Sequence, residues 1–259
     1  MGSVLDLFKL DGKVAIVTGA SSGLGASFSV VLAEAGADVA IGARRVDLLE
    51  ETKSAVEALG RRCVAVETDV TSVEDCERLV STAREQLGGP HILVNNAGIN
   101  AVVPAHREDP GEFKRIVDVH LVGTFQMSQA FARACIEGGH GGAIVNLASV
   151  VGMVATDAPQ AAYGSAKSAI FGLTRELANQ WSGRRDIRVN ALTPGLFLEG
   201  MSANIQLNDE AYAGARAMTV YGRLGNAPEL AGPLLLLVSD AGSYMTGASL
   251  VVDGGWTIR

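Results

Sequence analysis

Tyr163 and Lys167 stand four residues apart in the stretch AAYGSAKSAIFGLTREL, residues 161–177, whose apolar periodicity predicts a helix. Side chains three and four apart share a helix face, so Tyr163, Lys167, Ile170 and Thr174 fall on one stripe with a phenol beside an ammonium. A cation next to a phenol favours phenolate. It draws the tyrosine pKa down from about 10, toward proton exchange with an alcohol or a carbonyl. Tyr-x-x-x-Lys alone also describes an ordinary amphipathic helix with a solvated lysine, so the pair needs support from upstream. The run 143–148 reads as a buried strand that delivers Ser149 at its end, the edge where open parallel sheets bind ligands.

A second constellation lies near the amino terminus. The apolar run 13–18 flows into Gly19-Ala-Ser21-Ser22-Gly23-Leu24-Gly25 and then an apolar-periodic segment to Ala35, the pattern strand, glycine turn, helix. Glycines let the backbone approach a pyrophosphate closely, and the following helix aims free N–H groups and its positive dipole end at that charge. The next predicted strand, 38–43, ends at Ala43-Arg44-Arg45. A cofactor with a free ribose 2′-hydroxyl usually meets a carboxylate there. Two guanidinium groups instead match a 2′-phosphate, so NADP(H) is expected, with NAD(H) as the alternative.

The elements that must hold these residues follow in regular alternation: helix 46–59, strand 63–67, helix 73–87, strand 92–94, a long helix 110–137, the strand before Ser149, strand 187–191, helix 228–238 and strand 249–252. Asp69, just past its strand, can accept from an adenine amino group or cap the helix that begins near Val73. Asn95-Asn96-Ala97-Gly98 suits loop hydrogen bonding and close cofactor approach. No composition break or linker interrupts the alternation, so one α/β domain over 1–259 is expected.

Composition narrows the function. The chain has 259 residues, 48% of them hydrophobic, enough for a sizeable core. A net charge of −7 argues against nucleic acid, which wants a basic face. The longest aliphatic runs fall far below the ~18 residues of a membrane span. The start MGSVLDLFKLDGK lacks the shape of a signal peptide, so a cytoplasmic protein is expected. Cys63, Cys76 and Cys135 fit buried small hydrophobes, and His91, His106 and His140 show no ligand spacing, so no metal is assigned.

Seven motifs now stand in order: Thr18-Gly19 through Gly25, Asp69, Asn95 to Gly98, Ser149, Tyr163 with Lys167, Pro194-Gly195, and Val252-Asp253-Gly254-Gly255. With them the chain resembles the short-chain dehydrogenase/reductase family, single-domain type, from about Leu10 to Trp256. The resemblance implies a Rossmann-like doubly wound sheet of seven parallel strands with helices on both faces, a substrate lid at about 196–225, and pairing of subunits into a homotetramer or homodimer. It implies hydride transfer between a nicotinamide and a ketone or secondary alcohol. Tyr163 would be general acid/base, Ser149 would hold the substrate oxygen, and Lys167 would tune Tyr163 and bind the nicotinamide ribose. The cofactor positions it implies are Gly19, Ser21, Ser22, Gly23, Leu24, Gly25, Arg44, Arg45, Asp69, Val70, Asn96, Ala97, Gly98, Tyr163, Lys167, Pro194 and Gly195.

Two positions depart from the family pattern. Where a catalytic asparagine usually sits, this chain has His120 in Asp118-Val-His-Leu-Val-Gly123, and an imidazole can bond a helix carbonyl and pass protons through water. Where many members place a threonine after Pro194-Gly195, a residue that often contacts the nicotinamide carboxamide, this chain has Glu199, so that contact and the closing of the lid are expected to differ. Met201 and Tyr212 are lid candidates for substrate contact. The expected activity is an NADP(H)-preferring alcohol dehydrogenase or carbonyl reductase. An NAD-dependent sugar-acid or polyol dehydrogenase, a 3-oxoacyl reductase, a quinone or steroid reductase and a catalytically silent nucleotide-binding regulator stay open as alternatives.

Overall fold

A computed structural model of the chain describes residues 3–199 and 209–259. Its centre is a seven-stranded parallel sheet in the order β3-β2-β1-β4-β5-β6-β7. The strands are β1 (Val14–Thr18), β2 (Asp38–Ala43), β3 (Cys63–Glu67), β4 (Ile92–Asn95), β5 (Gly142–Leu147), β6 (Ile187–Pro194) and β7 (Ser249–Val252). Every residue of β1 is buried, with Ala15 and Val17 in the core on one face and Val14 and Ile16 in the core on the other. A strand covered on both faces therefore reads as continuously apolar rather than alternating.

Helices α1 (Gly23–Glu34), α2 (Val46–Glu57) and α8 (Ala231–Val238) cover the first face through residues such as Phe28, Leu49 and Leu234. Helices α3 (Val73–Leu87), α5 (Gly123–Gly138) and α6 (Ala161–Arg185) cover the second through Leu79, Phe131 and Leu177. The chain winds outward from β1 to β3, then returns to β4 on the other side of β1. Strand order reverses at that point, and the loops at the carboxyl ends of β1 and β4 open a crevice between them.

The long helix expected over 110–137 is interrupted. It consists of α4 (Pro110–Val117), a π turn at Asp118–Val122, and α5. The N–H of Gly123 donates five residues back to the carbonyl of Asp118, which widens the helix at His120. The segment 196–225 is also less irregular than its sequence indicates, because α7 (Asp209–Ala217) forms within it. Its acidic first turn, Asp209 and Glu210, supports the positive end of a short alanine-rich helix. Met201 lies outside the described residues. The three cysteines are buried free thiols.

Candidate active site

The glycine turn is shaped by two close approaches. Gly19 takes a positive φ of 67°, and a Cβ on Gly25 would sit 2.3 Å from the Gly19 carbonyl oxygen, so only glycine lets α1 begin against the end of β1. Ser22 occupies the cap position of α1 without bonding the helix, leaving its first N–H groups for a phosphate. The Ser21 and Ser22 hydroxyls instead accept from Arg45 Nη2, at 3.0 and 2.8 Å. A guanidinium thus lies across the glycine turn with donors to spare, and this donor set fits an NADP-type dinucleotide.

Asp69 does not cap α3. Ser72 does, accepting from the Asp75 N–H, while Asp69 Oδ1 accepts from the Thr71 N–H and hydroxyl and so braces its own loop. The shorter side chain three residues nearer the helix has the better reach. The Asn96 amide donates to the carbonyls of Thr18 and Gly19, so it straps β4 to the glycine turn rather than reaching outward.

Ser149 ends β5 and accepts from the Val151 N–H at 3.3 Å, starting the short turn Val150–Gly152. A Cβ on Gly152 would lie 2.6 Å from the backbone of Lys167. That close approach presses the turn onto α6 and brings Ser149 to Tyr163. The Tyr163 phenol is buried, and burial pushes its pKa up while the neighbouring Ser149 hydroxyl pulls it down. The expected lowering by Lys167 is not what governs Tyr163 here. Lys167 Nζ lies 5.7 Å from the centroid of the Tyr163 ring and donates to the carbonyl of Leu147. Enclosed in the core, the ammonium is itself pushed down to about 7.

His120 is 1% exposed. Its Nε2 lies between the carbonyl oxygen of Ile99, at 2.6 Å, and the Ile99 backbone nitrogen, at 3.1 Å, while Nδ1 is buried without a hydrogen-bond partner. Burial, reinforced by the nearby Lys167, pushes the His120 pKa down to about 3.

These elements enclose one cavity of about 800 Å³. That lies toward the upper end of the ~300–1,000 Å³ found for small-molecule and cofactor sites. All the predicted site residues line it except Gly23, Gly25, Lys167 and His120. The two glycines shape the turn from behind, and Lys167 and His120 sit in the layer beneath Tyr163, whose ring meets that of His120 edge-on. Glu199 lines the cavity and accepts from the Ala227 N–H at 3.0 Å. Tyr212 does not line it and lies against Arg216, whereas Ala211 and Ala215 of the same helix and Met218 just past it do.

The model of the family described as enoyl-(acyl carrier protein) reductase, one of the short-chain oxidoreductases, matches residues 19–257. The chain belongs to the short-chain dehydrogenase/reductase family. It is similar to 2-dehydro-3-deoxy-D-gluconate 5-dehydrogenase of Dickeya dadantii, 36% identical over 99% of this chain and 100% of that one. It is also similar to the L-tagatose-forming galactitol 2-dehydrogenase of Cereibacter sphaeroides, 38% identical over 97% and 98%. A solved structure from Agrobacterium tumefaciens, a candidate 2-deoxy-D-gluconate 3-dehydrogenase with bound NADP, superposes with a TM-score of 0.89 at 33% identity, covering 98% of this chain and 99% of that one. The protein is accordingly an NAD(P)-dependent oxidoreductase of the short-chain type.

Several residues of this short-chain oxidoreductase site escape sequence reasoning. Thr18 Oγ1 accepts from the N–H groups of Asn96 and Ala97, locking the β1 and β4 ends together. Asn95 donates to Asn146 and Ser128, and Asn146 donates to Thr174, joining β4, β5, α5 and α6. Polar residues inside apolar strands were the available signal, since a buried amide needs a partner. Asn100, Thr156 and Gln160 line the cavity mouth as a hydrogen-bonded row, and their separation in sequence hides it.

Proposed function

We propose that this oxidoreductase prefers NADP(H) and interconverts a secondary alcohol and its ketone, with Tyr163 giving and taking the proton. The observation that carries the reading is that Ser149 and Tyr163 line the same cavity as Arg44 and Arg45. No carboxylate stands at the end of β2 to receive a ribose 2′-hydroxyl, and Arg45 spans Ser21 and Ser22 where a 2′-phosphate finds charge and hydroxyls together. When bound, the nicotinamide supplies or accepts the hydride at the reacting carbon.

The chain's own groups do the rest. Ser149 donates to the substrate oxygen and holds it against the phenol. Tyr163 hands its proton to that oxygen in reduction and removes it in oxidation. Lys167, reached through the layer under the ring, fixes the ribose side of the site and returns protons to Tyr163. Pro194, Gly195, Ala97 and Gly98 would bound the nicotinamide end, and Asp69 with Val70 the adenine end. His120 is a positioning residue in this scheme. Its imidazole is held neutral near neutral pH, with Nδ1 buried and unpartnered where the family asparagine acts.

The test is steady-state nicotinamide reduction with a panel of secondary alcohols. Tyr163→Phe should lose at least about 10²-fold in kcat. In parallel, Arg45→Ala should raise KM for NADP+ by tenfold or more, about 1.4 kcal/mol, with little change for NAD+. Equal affinity of the parent for NADPH and NADH would refute the arginine argument, and full turnover by Tyr163→Phe would refute the role of the phenol.

A further inference from the structure

The substrate end of the cavity contrasts with its cofactor end in charge. Arg44 and Arg45 are the cationic side chains among the described lining residues, and both follow β2. Ser149 follows β5, three strand positions away in the sheet, which at about 4.8 Å per strand is roughly 14 Å. Lys167 is buried under Tyr163 and committed to Leu147. Three cations of this part of the chain are engaged with other groups: Arg216 donates to the Gly222 carbonyl, Arg223 forms a two-pronged pair with Glu229, and Arg259 donates to the carbonyls of Ala217 and Thr219. The sequence 200–208, GMSANIQLN, contains no basic residue. The one charged side chain on that side of the cavity among the described residues is the carboxylate of Glu199.

Neutral hydrogen-bonding groups line the same cavity. Gln160, one turn before Tyr163, accepts from Asn100 at 3.3 Å and donates to Thr156 at 3.1 Å. Each side-chain amide has two N–H donors and two oxygen lone pairs, so one or two bonds per amide leave capacity for a guest. Such a row suits hydroxyls, which donate and accept at once. Met218 and Trp256 supply apolar surface to the same cavity.

From this arrangement we infer that the enzyme selects an uncharged polyhydroxylated alcohol, a polyol or neutral sugar, and discriminates against sugar acids, with Glu199 as a specificity-determining residue. The inference rests on the oxidoreductase reading above and narrows it. A substrate carboxylate entering this end would be desolvated with no cation to receive it and would face a like charge. A hydroxyl in the same place has the Asn100–Gln160–Thr156 row to answer it. Glu199 is fixed for the task, since its bond to the Ala227 N–H anchors it to the segment that follows the lid.

The experiment compares kcat/KM for matched pairs of equal carbon number, a linear polyol and the corresponding aldonate, with NADP+ and with NAD+, for the parent and Glu199→Gln. Glutamine keeps an oxygen for the Ala227 N–H, and thermal melting checks that the variant is folded. The parent should favour the polyol by tenfold or more, and Glu199→Gln should narrow the ratio severalfold through a gain on the aldonate. Because the exclusion is electrostatic, added salt should shrink the parent's ratio as well. Aldonates used as well as or better than polyols by the parent would overturn the charge argument and leave the oxidoreductase reading standing. A ratio that Glu199→Gln does not move would remove Glu199 from its role. Absence of turnover with every alcohol, acid or neutral, would overturn the oxidoreductase reading itself and this inference with it.

Discussion

The His120 ring stands edge-on to the Tyr163 ring, with centroids 5.2 Å apart and planes at 84°. The contact joins the residue that departs from the family pattern to the one expected to move protons. It exists because the π turn at Asp118–Val122 shifts His120 off the regular helical register and turns it inward. Gly98 completes the fit, since a Cβ there would lie 2.5 Å from His120 Cε1.

A buried neutral imidazole makes the fold acid-sensitive. The folded His120 pKa, about 3, lies below the unfolded value of 6.5, so its contribution is fully present above pH 6.5 and drains away as pH falls toward 3. The loss from this group is at most about 1.4 kcal/mol per pH unit below 6.5. His120→Asn should unfold with a shallower acid dependence than the parent, measured by denaturant titration between about pH 7 and about pH 4.5. The pH–rate profile of the parent should also show no inflection near 6.5 that His120→Asn removes. A histidine inflection there, lost in His120→Asn, would show that the imidazole titrates and is not held neutral.

Lys167 invites a separation of stability from activity. Its folded pKa of about 7 lies below the ordinary 10.5, so burial of the ammonium costs more than its bond to Leu147 returns. The sign is again that of a depressed pKa: stability is fully present above 10.5 and is lost as pH falls to about 7. Lys167→Met, of similar length and uncharged, should melt higher at neutral pH by about 1–3 kcal/mol and lose that advantage as pH rises. The same variant should drop kcat sharply. A variant destabilised at neutral pH would mean that the Leu147 bond outweighs the desolvation.

What the sequence discloses follows from which forces are local. The edges of β2, β3 and β7 coincide with the expected strands, because continuous apolar runs bounded by glycine and polar residues can pack in few other ways. The order of motifs likewise places Ser149, Tyr163 and Arg45 at sheet ends that share a cavity. The π turn is invisible beforehand, since Asp118–Val122 has the periodicity of any helix and only packing selects the wider register. The direction of the Tyr163 pKa is also a tertiary property. Sequence spacing puts Lys167 beside the phenol, but enclosure decides that burial outweighs the neighbour. The Asn100–Gln160 pairing spans 60 residues and depends on the short bridge between Val103 and Gln160.

Gly25 offers a test of the cofactor end that leaves the catalytic groups untouched. An added methyl would meet the Gly19 carbonyl oxygen at 2.3 Å and the Asn96 amide nitrogen at 2.4 Å. The first contact is backbone and cannot yield without moving α1 away from β1. The second would break the strap that Asn96 throws to Thr18 and Gly19. Gly25→Ala should therefore displace the helix end and the Arg45–Ser21–Ser22 cradle together, and overpacking of this kind typically costs about 1–3 kcal/mol of stability. Binding of NADPH, followed by fluorescence titration, should weaken by tenfold or more, with the Kd for NADH rising in parallel because the pyrophosphate seat is common to both. An unchanged NADPH affinity in a folded Gly25→Ala protein would mean that the first turn of α1 does not carry the pyrophosphate. A loss confined to NADPH would place the damage at Arg45 alone.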